Sequence, residues 1–501
     1  MILRSWASAT YFTQIVESVL TCALLFVALA ARHLAKHWFD RIEDLLTRLA
    51  QRPRTTTLGI VISVITVRLL LVPLIPVPRP AIHDEFSYLL AAKTFAAGRL
   101  TNPPDPFWRH FESVHILQQP TYTSMYAPGQ GVALAVGILA TGRAWAGVVL
   151  TVGLLSGALF WALSAWVPGR WALAGTAIAV IRWLLFSYWM NSYWGGALPA
   201  LAGTLIFGTL PRLVHEAKVR DAVVWALGLV ILANTRPYEG LAIGSVSLVV
   251  LTFWSRRNGI SGRLCRPALT LSANAILAVA AAGTLFYNAR VTGSALTMPY
   301  IEDRREYAIA PLFLWGRIRP EPAYTTTSLR DVYRAEADLY RSARAKWGVP
   351  EFFRKLKNFW IFFLGPLLSV PFIAFFFGRR TDEFAEGRSK RHYIGAILLI
   401  MFAAAVQVVW FYPHYFAPAF APFVAMLLFG FRELRHWRWR GRITGVFLSR
   451  AVPMGCVLMT IIPASAHRLG WHLRFWPLQW ALGTPPATHG QRVEDSVLVD
   501  G

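Results

Sequence analysis

Acidic residues and cysteine are what this 501-residue chain is short of: 26 Asp and Glu stand against 50 Lys and Arg, and cysteine occurs 3 times. Cys22, Cys265 and Cys456 lie in or beside apolar runs, which excludes a disulfide framework or a spaced zinc-ligand set. Neither an internal repeat nor a low-complexity tract is present. The stretch 11–21 carries Glu17 and has no basic region before it beyond Arg4, so a retained helix is expected there rather than a cleaved leader. What the chain has in quantity is apolar surface, with 55% hydrophobic residues and several runs of about 20 residues, the length a bilayer core of about 30 Å demands. That excludes an ordinary soluble domain. In a soluble protein the formal charge of +24 would suggest nucleic acid; here the basic residues collect in short loops between apolar runs, a topology signal, and no nucleic-acid partner is expected.

The first span, about 15–31, is followed by Arg32, Lys36, Arg41, Arg48, Arg52 and Arg54, which the positive-inside rule assigns to the cytoplasm. The run 58–77 then returns outward. Residues 78–142 form a first extracytoplasmic loop that ends in Tyr126-Ala127-Pro128-Gly129-Gln130 and a half-inserted or juxtamembrane helix. Further spans are expected at about 143–165, 169–189, 196–213, 221–235, 238–254, 268–288, 357–377, 392–411, 414–431 and 446–464. Basic loops at Arg212, Lys218 and Arg220, at Arg256, Arg257, Arg263 and Arg266, at Arg379, Arg380, Arg388, Lys390 and Arg391, and over 432–442 all fall on one side. The expected architecture is therefore an all-α polytopic membrane protein of about 11–13 transmembrane helices with its site on extracytoplasmic loops. It divides into an additional N-terminal helix and basic loop (1–57), a membrane core (58–289), an extracytoplasmic segment resembling a small subdomain (290–357), C-terminal helices (358–464) and a tail (465–501).

Chemistry gathers at the outward exits. Directly after the run ending at Pro80, the stretch Ala81-Ile82-His83-Asp84-Glu85-Phe86-Ser87-Tyr88 places two carboxylates at the water boundary. One reading makes Asp84 a helix cap, with Gly98 as the stop. The other makes it a base. The clusters Asn191-Ser192-Tyr193-Trp194, Asn234-Thr235-Arg236-Pro237-Tyr238-Glu239 and Tyr412-Pro413-His414-Tyr415 emerge on the same side, and the polar break near Arg236 has the pattern of a discontinuous helix lining a cavity. Carboxylates, aromatics and a few cations on membrane helices suit sugar transfer from a polyprenyl-phosphate carrier. One carboxylate takes the acceptor proton while cations stabilise the departing phosphate, which needs no second acid. Asp84 is the expected base, with Glu85 orienting it or binding acceptor. Arg236 is the expected phosphate ligand, against a snorkelling interfacial cation, and His414 with Tyr415 supplies a second contact. Arg182 inside a span admits two readings, a donor contact or the partner of a buried carboxylate, and Arg68 shares the ambiguity. Acceptor or sugar contacts are expected from His83, Tyr88, Tyr126, Gln130, Asn191, Tyr193, Trp194, Asn234, Tyr238 and Glu239. Glu112 and His115 are weak metal candidates without a fixed third ligand, so no cofactor is assigned and a divalent metal stays open.

The order of a transmembrane helix, Asp84-Glu85 with Tyr88, a Tyr-x-Pro turn at Tyr126 to Pro128, many further spans and a late His-Tyr-x-x-Pro at His414 to Pro418 resembles the GT-C glycosyltransferases. The chain is similar to the bacterial protein O-mannosyltransferases (dolichyl-phosphate-mannose-protein mannosyltransferase-like) and lipid A aminoarabinose transferases over most of residues 55–430. The resemblance implies a catalytic carboxylate in the first external loop, carried onto Asp84, and a polyprenyl-phosphate donor. It departs in the additional N-terminal span and in Ala127-Pro128 where the family has Pro-Pro. The expected activity is inverting transfer of one sugar, a hexose or pentose, to a lipid, protein or polysaccharide acceptor outside the cytoplasmic (inner) membrane. The rivals are a secondary transporter or flippase, which would place polar groups near the midplane, and a lipid-binding scaffold, which would not need Asp84.

Overall fold

The computed structural model describes residues 2–31, 33–259, 261–346, 348–377 and 385–468; the expected tail from 469 onward and the basic positions Arg379 and Arg380 lie outside them. Nine helices among the described residues are long and apolar enough to cross a bilayer, joined by two shorter apolar ones, Pro128–Thr141 and Gly445–Thr460. The protein is a multi-pass membrane protein with almost no sheet.

The chain opens with α1 (Ile2–Ala30) and then α2 (Lys36–Ala50). No residue of α2 is buried, and Trp38, Leu45 and Leu49 lie open on its apolar side, as on a helix lying in the interface plane. Pro53 starts α3 (Pro53–Leu70), where a missing N–H costs nothing. Next come α4 (His83–Ala96), the short strands β1 (Ile116–Leu117) and β2 (Thr123–Ser124), α5 (Pro128–Thr141) and α6 (Ala144–Leu163). The stretch expected as one span at 169–189 is instead α7 (Gly169–Ala179) widened into a π-helical turn, Val180–Leu184, after which the chain leaves the helix. The middle of the chain gives α8 (Ala197–His215), α9 (Val219–Ala233), α10 (Pro237–Arg257), the single turn α11 (Ser261–Leu264) and α12 (Pro267–Thr292).

The segment 290–357, expected to be external, supplies α13 (Pro299–Glu306) and α14 (Thr327–Ala345). Its Tyr307, Leu329 and Tyr333 form a small core with Val114 from the 78–142 segment, so the two pieces fold together. Amphipathic α15 (Val349–Phe359) runs through a second π turn, Trp360–Leu364, into α16 (Gly365–Phe377). The chain finishes with α17 (Ala385–Gln407), a 3-10 stretch Pro413–Ala419, α18 (Phe420–Arg435), a hairpin of β3 (Arg438–Trp439) and β4 (Arg442–Ile443), and α19 (Gly445–Arg468).

Near Arg236 the expected discontinuous helix is the tip of a tight antiparallel hairpin of α9 and α10. A Cβ on Gly240 would touch Leu232 at 2.9 Å, and one on Gly244 would touch Leu229 at 3.0 Å, a spacing that only reversed helices allow. Asn234 and Arg236 are thereby carried to an exit as a loop.

Of the two readings of Arg182, the structure realises the partner of a buried carboxylate and not the donor contact. Its Nη2 donates to Glu17 Oε1 at 3.2 Å and Oε2 at 3.1 Å, and both residues are almost fully enclosed. Glu17 also accepts from the Leu367 backbone N–H at 3.3 Å. This pair fastens α1 to the π turn after α7 and to α16, so Arg182 has no access to a ligand. Because one member of a buried pair left alone is an unpaired charge, Glu17→Leu is expected to cost about 3–5 kcal/mol. The double change Glu17→Leu with Arg182→Met recovers most of that loss, and thermal unfolding of the three variants in one detergent measures it.

Candidate active site

Arg68, in the last turn of α3, fixes where the chain leaves the membrane. Its Nε donates to Asn191 Oδ1 at 3.0 Å, Nη1 to the Ile75 carbonyl at 3.0 Å and Nη2 to the Pro76 carbonyl at 3.3 Å. The guanidinium lies over the Trp145 ring at 4.4 Å. Both sequence readings of Arg68 give way to a structural clamp joining α3, α6 and the loop after α7. Asn191 belongs to the same clamp, since its amide donates to the Leu185 and Ser187 carbonyls.

Asp84 is not the cap of α4. The cap position is Ile82, which offers no side-chain bond, while Gly98 does take the left-handed conformation past the helix end. Glu85 secures the helix start instead: Oε2 accepts from the Ala81 N–H at 2.8 Å and Oε1 from the Tyr193 N–H at 2.7 Å. Glu85 is 1% exposed, and burial pushes its carboxyl up to about 7. Both of its oxygens are thus engaged by backbone and closed to solvent.

The Asp84 side chain is 23% exposed. Its Oδ1 accepts the hydrogen bond of the Tyr126 hydroxyl, and its Oδ2 lies 3.7 Å from His115 Nδ1. The same Tyr126 hydroxyl is 3.3 Å from His115 Nδ1, and Tyr126 stacks on Tyr88 at 4.5 Å. Burial drives the His115 imidazole below its ordinary range and the Tyr126 phenol well above its own, so both are neutral groups around the carboxylate at neutral pH. His115 takes a left-handed backbone conformation (φ 67°), an uncommon one for a residue with a side chain. Its carbonyl is fixed by the Ser87 hydroxyl at 2.7 Å, and that hydroxyl also meets Ser124 Oγ at 2.7 Å.

The other three clusters converge on this point. Gly129 N–H donates to the Asn234 carbonyl at 2.7 Å, joining the start of α5 to the α9–α10 loop. A Cβ on Gly129 would meet that carbonyl oxygen at 2.6 Å, so only glycine permits the contact. The Arg236 guanidinium lies 4.8 Å from the Tyr415 ring centroid and within electrostatic reach of Tyr88, Tyr126 and Glu239. His414 Nδ1 is 3.0 Å from the Tyr188 hydroxyl, and Trp194 packs against His414 at 4.5 Å and Tyr412 at 4.8 Å. His83 stands edge-on to His115 at 6.4 Å.

Several expected acceptor contacts are committed to the scaffold. Gln130 donates to the Tyr193 carbonyl at 3.1 Å, and the Tyr193 hydroxyl donates to the Pro78 carbonyl at 3.1 Å. Asn234 donates to the Val230 carbonyl at 3.0 Å and accepts from Thr284 at 3.2 Å. Tyr238 donates to the Ala404 carbonyl at 3.2 Å and packs edge-on to Phe313. Glu112 and His115 do not form a metal pair: Glu112 accepts from Tyr307 at 3.0 Å and from Thr325 in the external segment, whereas His115 turns to Asp84. Among the described residues no group of three His, Cys, Asp or Glu could hold a metal. Sequence reasoning missed Tyr300 and the Arg304–Glu336 pair (2.9 Å), which reach the site electrostatically from the external segment. The Pro299-Tyr300 helix start was the available signal.

No family model and no curated protein matches this chain. Solved structures similar to it include the archaeal oligosaccharyltransferase AglB from Archaeoglobus fulgidus in complex with an inhibitory peptide and a dolichol-phosphate. That alignment has 13% identity and a TM-score of 0.47, and covers 87% of this chain and 59% of that one. ArnT from Cupriavidus metallidurans bound to undecaprenyl phosphate is similar at 13% identity and a TM-score of 0.45, with 85% and 74% covered. The apo ArnT structure gives the same identity and TM-score, with 85% of each chain covered. The chain thus spans less than two thirds of the oligosaccharyltransferase. These neighbours are of the membrane glycosyltransferase kind named by the sequence resemblance.

A carboxyl held at about 7 in the fold, against an ordinary 4.5, keeps a proton in the folded protein that the unfolded chain has released. Stability conferred by protonated Glu85 is therefore full below pH 4.5 and declines as pH rises to about 7, by an amount on the order of 3 kcal/mol. Glu85→Gln is expected to flatten the stability profile across that window, read by chemical unfolding at pH 4.5, 6 and 7.5.

Proposed function

We propose that the protein is an inverting glycosyltransferase, moving one sugar from a polyprenyl-phosphate carrier to a cell-envelope acceptor at the outer face of the cytoplasmic membrane. The observation that carries this reading is the partly open Asp84 carboxylate, bonded to Tyr126 and facing His115, at the same end of the helix bundle as Arg236, His414 and Tyr415. The acceptor hydroxyl attacks the anomeric carbon as the bond from that carbon to the phosphate oxygen breaks, and Asp84 Oδ2 takes the hydroxyl proton. Tyr126 holds Oδ1 and so fixes which oxygen faces the acceptor. Arg236 stabilises the departing phosphate, with Tyr415 holding the guanidinium from below. Tyr88 and Trp194 contribute aromatic walls, and the external segment closes the acceptor side. Glu85 is a positioning residue, consistent with successive helical residues pointing about 100° apart. The neighbours bound to dolichol-phosphate and undecaprenyl phosphate support a lipid-linked donor as part of the proposal.

Transfer from radiolabelled polyprenyl-phosphate sugars into membrane fractions tests the assignment. Asp84→Asn is expected to lower the rate by about 10²–10⁴-fold with monodispersity unchanged, and Tyr126→Phe by about tenfold. Equal transfer by Asp84→Asn and the parent would overturn the role of Asp84. Arg236→Gln is expected to raise the KM for donor at least as much as it lowers kcat, with no change in acceptor KM, because the guanidinium serves only the phosphate.

A further inference from the structure

The end of the bundle opposite Asp84 carries a second concavity. A groove of about 220 Å³ opens between α2, α7 and α19, walled by Ile42, Leu46, Ala174, Ile178, Pro453 and Val457. Ile42 and Met454, both more than a third exposed, stand at its mouth beside exposed Ala177. Two helices fix its position across the membrane. α2 precedes α3, whose far end leads to Asp84, and Arg435 closes α18, whose other end follows His414. The 18 residues of α3 separate the two levels by roughly 27 Å. The groove therefore faces the other leaflet.

Its polar rim is cationic. Arg435 donates to both oxygens of Glu43 at 2.6 and 2.9 Å, and Arg450 donates to Glu43 at 2.8 Å and to Asp40 at 2.7 Å. Those two guanidiniums and two carboxylates balance. Arg170, exposed at the same rim and without a hydrogen bond or ion pair among the described residues, leaves a surplus positive charge. Beside it α2 presents Trp38, Leu45 and Leu49 as an interfacial helix does, which puts the rim at headgroup depth and the apolar walls below it.

We propose that this groove binds an anionic glycerophospholipid of the leaflet opposite the active site, one acyl chain lying along Ala174 and Val457 and the phosphate meeting Arg170 beside Arg450. The medium at that depth is lipid, so an apolar trough with a cation at its mouth selects a chain carrying a negative headgroup. The proposal is independent of the transfer chemistry.

The test is thermal unfolding of the full chain in detergent micelles titrated with dioleoyl phosphatidylglycerol, dioleoyl phosphatidylcholine, undecaprenyl phosphate or inorganic phosphate. Phosphatidylglycerol is expected to raise Tm by several degrees in a saturable manner, with no comparable shift from the other three. Arg170→Gln, which removes no described contact, should raise the half-saturating phosphatidylglycerol concentration about fivefold, and Ala177→Phe should abolish the response by filling the mouth. Should Ala177→Phe lower Tm without lipid, the Arg170→Gln titration decides alone. Equal shifts from both phospholipids, a preference for undecaprenyl phosphate, a shift from inorganic phosphate alone, or an unchanged response in Arg170→Gln overturns the proposal. Asp84→Asn should respond to phosphatidylglycerol like the parent, which separates this result from that of the transfer assay.

Discussion

The site depends on one buried guanidinium. Where α3 ends, the chain turns away from helix geometry inside a medium with no water to satisfy freed carbonyls, and Arg68 takes up those of Ile75 and Pro76 together with Asn191. An arginine at that depth is costly unless its donors are engaged, and here its carbon stem and face are also covered by Trp145. The exit of α3 and the loop after α7 are thus set relative to each other before any functional group is placed. Glu85 extends the same connection outward, since its two oxygens hold Ala81 and Tyr193. Asp84, one residue earlier, is left free of structural duty and turned toward Tyr126.

A division of labour between adjacent residues recurs through the molecule. Asn191 holds backbone while Trp194 faces His414, and Asn234 pins α5 to the α9–α10 loop while Arg236 faces Tyr415. The close approach of α8 to the His414 segment follows the same logic. A Cβ on Gly203 would stand 1.9 Å from the Pro418 carbonyl oxygen, so the absence of a side chain there sets the depth of the histidine. Buried charges elsewhere are met in the same way: Glu17 pairs with Arg182, and Lys355 is capped by the Val406 and Val408 carbonyls at 2.7 and 2.6 Å and lies 3.5 Å from Glu351.

Much of the site was legible because sidedness can be read from loop charges. Once the basic loops are assigned to one side, Asp84, the Asn191 cluster, Arg236 and His414 are expected to emerge together, and the fold brings these clusters to one end of the bundle. Individual roles were less legible. Gln130, Asn191, Asn234 and Tyr238 have residue types suited to sugars, yet each is spent on a main-chain group that sequence cannot pair with it. His115 was grouped with Glu112 by spacing, but its left-handed backbone turns the two side chains to different partners. Tyr300 acts on Tyr126 and Tyr88 from more than 170 residues away, and the one local signal, the helix start at Pro299, says nothing of those partners.

What the sequence determined by itself was the helical, multi-pass architecture and which polar clusters lie at one end of the bundle. Apolar run length and loop charge are local quantities, and the bilayer acts on each of them separately. What only the tertiary structure decided was which polar side chains face the cleft and which serve the scaffold. Arg182 and Arg236 are the same residue type, yet Glu17, 165 positions away, comes to meet the first, while the second lies against the Tyr415 ring. A buried polar group takes the partner that the packing brings, and packing is a property of the whole chain.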